Sequence, residues 1–256
     1  QAETQFIRLL SNSALQSKVE LLYFDGHAPK NTPKEHMDSF YRSFDEVKDK
    51  RYDGLIITGA PLGNMPFEDV RYWPEFEVLN SWARANVTST LYLCWAAWAG
   101  LRLNHGIDRV RLPRKHFGVF PHTAPDPKVP IVRGFDDVFM APHSRENGLN
   151  QADIDGASDL FTAAESELGG AYILVGEENR AVYVTGHSEY DPNCLKDEYE
   201  RDLELGLDIH VPENYFPEDD PSRDPLVRWR SHANLLFGNW LNYHVYQRSP
   251  FDWISK

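Results

Sequence analysis

Between Val87 and Leu101 the chain changes its hydrophobic period at one residue. Val87-Thr88-Ser89-Thr90-Leu91-Tyr92-Leu93 is an apolar, β-branched run of the kind that fills a buried strand. Trp95-Ala96-Ala97-Trp98-Ala99-Gly100-Leu101 is Ala-rich and reads as helix. The pattern predicts a strand turning directly into a helix at Cys94, with small residues behind the turn so that the helix can approach the sheet. A side chain at such a turn is held clear of the backbone, and the helix N-terminus favours a thiolate, the reactive form. On this segment alone the plainer reading is a buried core cysteine, because free Cys is among the most buried residue types.

A second segment changes that balance. Ala181-Val182-Tyr183-Val184-Thr185-Gly186-His187-Ser188-Glu189 is a short apolar strand closed by Gly, with His and Glu spaced two apart. On extended backbone such residues face the same way. The Glu189 carboxylate can then orient one nitrogen of His187 and leave the other for a nucleophile, which is the logic of nucleophile, base and orienter. His-x-Glu alone is a common surface pair; the elbow-like Cys94 on a separate strand makes the combination more specific.

The rest of the chain alternates strand and helix. A first helix is expected to end near Ser11-Asn12, and Val19 to Phe24 reads as a strand. A helix follows from Pro33 through Phe40, Tyr41, Phe44 and Val47, then a strand from Tyr52 to Ile57 closed by Thr58-Gly59-Ala60-Pro61-Leu62-Gly63. A helix spans Trp73 to Trp82. After Gly100 five prolines (113, 121, 125, 127 and 130) loosen the pattern, leaving short strands near Val119 and at Ala171–Val175, and an amphipathic helix over Trp229–Leu241. Strand–helix alternation at this spacing predicts an α/β fold with a mainly parallel sheet flanked by helices. The 256 residues fit a single domain.

Charge and cysteine usage narrow the partners. A net charge of −13 argues against nucleic acid or an anionic membrane, while local Arg and Lys can still collect an anionic substrate. Two cysteines, Cys94 and Cys194, are too few for a disulfide framework, which suits a reducing cytoplasm. No window approaches a membrane span of ~18 apolar residues. Rossmann, P-loop and zinc-type spacings are absent. The chain opens on Gln1 without a Met, so a processed or longer N-terminus is expected. In open α/β sheets function gathers at the carboxyl ends of strands. The Gly59 loop there is placed to offer a backbone N–H, Leu62 being the candidate, and Trp95 a second, as an oxyanion hole. Alone, the Gly-Ala-Pro loop reads as a plain turn.

Long strings across nearly the whole chain resemble the homoserine O-succinyltransferase/O-acetyltransferase family. They include Tyr52 to Pro61, Phe67-Glu68-Asp69-Val70, Arg133-Gly134-Phe135-Asp136-Asp137, Ala141-Pro142-His143-Ser144-Arg145, Val184 to Tyr190, Asn214-Tyr215-Phe216-Pro217 and Trp229 to Phe237. The resemblance implies a class I glutamine amidotransferase-like, flavodoxin-like three-layer sandwich. It puts the acyl-carrying cysteine at Cys94, the base at His187 and its partner at Glu189. Substrate-binding positions fall on Lys115, Ser144 and Arg201, the last suited to clamp an amino-acid carboxylate. No metal or prosthetic group is implied; acyl-CoA is a co-substrate, homoserine or serine the acceptor, and the resemblance leaves room for a homodimer. Family members carry further residues upstream, including an early strand, so such a segment is expected here.

The acyl group is associated with the position of Gly63, where acetyl users resemble Glu and succinyl users resemble Gly. A Glu would repel the terminal carboxylate of a succinyl group. Two like charges ~4 Å apart at an effective dielectric near 20 cost roughly 4 kcal/mol, about a thousandfold. Gly63 therefore predicts succinyl-CoA. Two departures from the family stand out: Trp98 replaces the usual Gln, read here as core packing, and the N-terminus begins late. The alternatives are acetyl-CoA as donor, serine as acceptor, a glutaminase or amidase, and a non-catalytic binding protein. A glutaminase usually presents Gly on both sides of its elbow, where this chain has Tyr92 and Ala96.

Overall fold

The computed structural model describes residues 2–24, 40–178 and 180–250. Helix α1 (Ala2–Ser11) leads to β1 (Leu21–Tyr23), which pairs in parallel with β2 (Tyr41–Ser43). One turn of helix follows, α2 (Phe44–Val47), then β3 (Tyr52–Ile57), α3 (Trp73–Asn86), β4 (Val87–Leu93) and α4 (Trp95–His105). Two long strands, β5 (Val110–His122) and β6 (Phe139–Gly148), form an antiparallel pair. The chain continues through α5 (Gln151–Gly156), β7 (Leu160–Ser166), β8 (Gly170–Gly176) and β9 (Ala181–Val184). It closes with α6 (Cys194–Glu204), α7 (Arg230–Asn239) and a π-helical extension over Trp240–Tyr246.

The main sheet has the order β3-β4-β9-β8-β7. Its β3-β4-β9 half is parallel, as expected where helical crossovers link the strands. β8 and β7 extend it antiparallel, because short connections join β7 to β8 and β8 to β9. The parallel character is thus confined to the half that carries the Cys94 turn.

Side-chain alternation on the central strands divides the interior into two cores. Leu91 and Leu93 of β4, Val182 and Val184 of β9, and Ile173 and Val175 of β8 meet Leu9, Leu236, Phe237 and Trp240 on one face. Tyr92, Tyr183 and Leu174 point the other way, against Trp73, Phe76 and Leu79 of α3 and Trp95 to Leu101 of α4. The result is helix, sheet, helix: the three-layer α/β sandwich expected. A third cluster, Phe117, Val119, Leu195, Tyr215, Phe216 and Trp229, seats the β5-β6 pair against α6.

Two local expectations change. The helix anticipated from Pro33 begins outside the described residues, and its later part is strand β2 followed by α2. Phe40 is helical, the strand β2 then interrupts the three-to-four spacing of the aromatic residues, and Ser43 and Glu46 form a capping box that starts α2 at Phe44. The segment around Val119 is a 13-residue strand rather than a short one. β5 pairs along its length with β6, and its other edge carries a single bridge from Gly118 to Glu213, so Pro113 and Pro121, which have no N–H to give to a ladder, are tolerated away from it.

The close approach of α4 to the sheet depends on Gly100. A Cβ there would come within 2.8 Å of Tyr92 and 3.0 Å of Tyr183. The two rings stack at 5.0 Å, and their hydroxyls are tied to Asn80 and Asn104. Neither ring can move away cheaply. Gly100→Val should therefore lower the free energy of unfolding by about 2 kcal/mol or more, read from urea denaturation midpoints.

Candidate active site

Cys94 is the cap of α4 and holds φ 52° and ψ −117°, the left-handed side of backbone space that a β-branched or bulky residue avoids. Its N–H donates to Val184 O at 2.8 Å, so the turn after β4 is tied to the end of β9, just ahead of Gly186 and His187. Gly59, after β3, completes the crowding: a Cβ at Gly59 would lie 2.8 Å from the Cys94 Cβ and 3.3 Å from Trp95 N. Three parallel strands therefore deliver Gly59, Cys94 and His187 to one place.

His187 and Glu189 are both buried, with Nδ1 of the imidazole 2.7 Å from Glu189 Oε1. Tyr190 stacks on the imidazole at 4.2 Å. Burial alone would push the His187 pKa down. The charges and hydrogen bonds of Cys94 and Glu189 outweigh it and hold the pKa well above that of a free histidine. Glu189 thus braces the imidazole of His187 beside Cys94.

The two expected oxyanion donors fare differently. Trp95 is the first residue of α4, so its N–H has no acceptor within the helix. The Leu62 N–H instead donates to Ala60 O at 2.7 Å, inside its own turn. In this loop conformation Leu62 is not a free donor; the tight turn at Pro61 consumes it. Gly63 lies beside a buried amide, with Asn147 Nδ2 donating to Gly63 O at 2.8 Å and standing 3.3 Å from where a Cβ would be. Arg109 donates to the carbonyls of Leu62 and Met65, and Arg111 to the Asn64 side chain, which pins this loop.

Lys115, Ser144 and Arg201 form a second cluster on β5, β6 and α6. Lys115 Nζ and Ser144 Oγ both donate to Glu198 Oε1, at 2.6 and 2.7 Å. Arg201 gives Nε and a terminal nitrogen to Asp202 Oδ1, at 2.8 and 2.6 Å, so its fork is occupied by a neighbour. Tyr190 links the clusters: Glu189, Cys94 and Glu198 all act on its hydroxyl, which they and burial hold well above the ordinary phenol range. Trp98 is buried among the α3-α4 core residues, which matches the packing role expected for it. Among the described residues no group of three or more His, Cys, Asp or Glu is arranged to hold a metal ion, and no helix is long and apolar enough to cross a membrane.

Residues 1–251 match the family model described as homoserine O-succinyltransferase. The chain belongs to that family. It is 51% identical to the homoserine O-acetyltransferase of Brevibacillus brevis over 98% of this chain and 82% of that protein. It is 52% identical to the homoserine O-succinyltransferase of Proteus mirabilis over 98% and 82%. Homoserine O-acylation is common to these names; the acyl group differs. Among solved structures, a glutamine amidotransferase from Methylobacillus flagellatus aligns with a TM-score of 0.55 at 13% identity, covering 78% of this chain and 79% of that one. A glutamine amidotransferase from Thermotoga maritima gives 0.53 at 13% identity over 81% and 87%. At that identity the likeness speaks for the fold, which is the amidotransferase-like sandwich expected.

For this homoserine O-succinyltransferase family member, sequence reasoning passed over the residues that support the site. Glu198 and Asp202 organise the second cluster, and neither belongs to a motif on its own. His143 and Arg145 stand two apart on β6, a spacing that places them on one face of the strand. His116, His122 and His143 gather around Arg145. Burial and the adjoining guanidinium lower the His116 pKa to about 3. Burial lowers His122 to about 3 as well, against a hydrogen bond to Phe120 O. A histidine whose folded pKa is depressed is neutral when folded and takes up a proton on unfolding. Its contribution is complete above pH ~6.5 and is lost as the pH falls toward 3. His116→Phe, which keeps the stacking on Phe120, should flatten the fall in unfolding free energy over that window. The slope lost is at most about 1.4 kcal/mol per pH unit, and less for a ring retaining some solvent contact. Urea titrations at a series of pH values read it directly.

Proposed function

We propose that this chain is a homoserine O-succinyltransferase that carries the succinyl group on Cys94. The observation that supports it most is the braced His187–Glu189 pair facing Cys94 at a left-handed elbow, in a chain of this family. Cys94 thiolate attacks the thioester carbonyl of succinyl-CoA, and the Trp95 N–H at the α4 terminus faces the oxyanion. The tetrahedral intermediate collapses with loss of CoA thiolate, which takes the proton of the His187 imidazolium. Neutral His187 next removes the hydroxyl proton of homoserine. The alkoxide attacks the acyl-Cys94 carbonyl, the C–S bond breaks, and O-succinylhomoserine leaves behind Cys94 thiolate and the imidazolium.

Glu189 keeps the imidazole in one tautomer and stabilises its charge through the cycle. Lys115, Ser144 and Arg201 are assigned to the amino-acid acceptor. Their present partners, Glu198 and Asp202, fit that role, since a carboxylate between an ammonium and a hydroxyl suits the α-amino group and the Arg201 fork suits the α-carboxylate. Gly63 supports the succinyl assignment, because it leaves neither bulk nor charge beside Asn147.

CoA release with homoserine, followed for succinyl-CoA and acetyl-CoA in parallel, tests the reading. The expected outcome is a higher kcat/KM for succinyl-CoA; a higher value for acetyl-CoA would assign the chain to the acetyl users instead. Gly63→Glu should invert the preference, with kcat/KM for succinyl-CoA falling about a thousandfold. Cys94→Ala should abolish turnover, and intact-mass spectrometry after mixing the unaltered protein with succinyl-CoA should find the acyl adduct on Cys94.

A further inference from the structure

Between them, His187 and Glu189 enclose one residue that the acyl-transfer scheme leaves unused. The Tyr190 N–H donates to His187 O at 3.2 Å, so residues 187–190 form a β-turn with Ser188 and Glu189 at its centre. Where the chain enters the turn, the His187 N–H donates to Pro142 O on β6 at 2.9 Å. Where it leaves, Arg8 donates to Glu189 O at 3.2 Å and Trp229 Nε1 to Tyr190 O at 3.0 Å. The tip is held by a side chain: Ser188 is 5% exposed, and its hydroxyl is hydrogen-bonded to the hydroxyl of Tyr172.

Tyr172 belongs to β8 and holds this segment twice. Its carbonyl accepts the Thr185 N–H at 2.9 Å, one residue past the end of β9. Its hydroxyl then meets Ser188, three residues further on. The chain between them passes Gly186. A Cβ there would stand 2.8 Å from Pro142 O and from the His143 ring, and 2.9 Å from the Tyr172 ring. No side chain fits at that point, so the backbone runs close against β6 and the tyrosine together.

The tyrosine ring has no room to turn away. His122 lies 4.5 Å from it and His143 5.4 Å, centre to centre, and the residue is 1% exposed. Burial holds the phenol above its ordinary range, so the hydroxyl keeps its proton at neutral pH. Either hydroxyl can donate to the other. Both residues are buried, so removing one hydroxyl leaves the other without a partner.

We propose that Tyr172 and Ser188 are positioning residues for acyl transfer: their hydroxyl pair fixes the tip of the turn that carries His187 and Glu189. Ser188 stands between the base and its orienter, so a rotation at the tip displaces both from the geometry that the reaction needs. A misplacement of about 1 Å costs of order a hundredfold in rate. This role rests on His187 being the base of the acyl-transfer reading.

The test is a double-mutant cycle on the full chain: Tyr172→Phe, Ser188→Ala and the two together. CoA release with homoserine gives kcat and KM, and circular dichroism gives the melting temperature. The donor is whichever of succinyl-CoA and acetyl-CoA the unaltered protein turns over faster, assayed well below every melting temperature. Each single variant should lose kcat by about tenfold or more, with KM for donor and acceptor within about twofold. Each should also melt lower, because one buried hydroxyl is unpaired. The double variant leaves neither unpaired, so it should melt above both single variants while its kcat stays as low as theirs. Recovery of kcat together with the melting temperature would make the pair merely structural and overturns the proposal. So does an unchanged kcat in the single variants, or a double loss equal to the product of the single losses. If one member of the cycle does not fold, the folded members decide alone: parental kcat overturns the role, and a tenfold loss at unchanged KM supports it. Full turnover by His187→Ala would be a different failure, that of the acyl-transfer reading.

Discussion

Cys94 occupies a backbone conformation that costs a non-glycine residue of order 1–3 kcal/mol, and much of the interior is arranged so that it can stay there. Its N–H is anchored to Val184 O across the β4-β9 pair. Gly59 clears the space that a side chain would take from it. Gly100 lets α4 close onto the stacked Tyr92 and Tyr183, which sets the angle at which the helix leaves the sheet. Loosening any one of these contacts would let the turn relax and swing Sγ away from the imidazole. The strained elbow and the packed core are therefore one construction.

That construction places its charges out of water. His187 is raised by Cys94 and Glu189 while burial opposes it. Arg145, buried on β6, is lowered by burial to about 10. The acidic residues nearest the second cluster, Glu198 and Asp202, are already bonded to Lys115, Ser144 and Arg201. Neutral histidines fill the interval between Arg145 and the strand carbonyls, which lets a polar layer be buried without adding more charge.

Much of this was legible in local pattern. The change of period at Cys94 specified a strand-to-helix turn, and His187 with Glu189 showed themselves by spacing on extended backbone. Other features were not legible because they depend on competition between local signals. Strand β2 interrupts the aromatic spacing after Phe40, and Ser43 and Glu46 cap a separate turn of helix at Phe44. Prolines made β5 look like loop, yet they sit on a strand whose second edge is met by one bridge, at Gly118. The Leu62 N–H looked available in the sequence, and only the turn at Pro61 showed that Ala60 O takes it.

The sequence by itself determined where strands end in reactive residues, since a period is a local property and neighbouring side chains report it. It also determined, through Gly63, that one wall of the loop carries no side chain. What the tertiary structure alone decided is which distant residues meet. Arg145 follows His143 by two positions, but the Gly169 carbonyl it binds is twenty-four positions away, and Glu198 gathers Lys115 and Ser144 from two other elements. Such pairings are set by sheet order and by burial, which fix how strongly each charge is felt, and neither is written in any window of the chain.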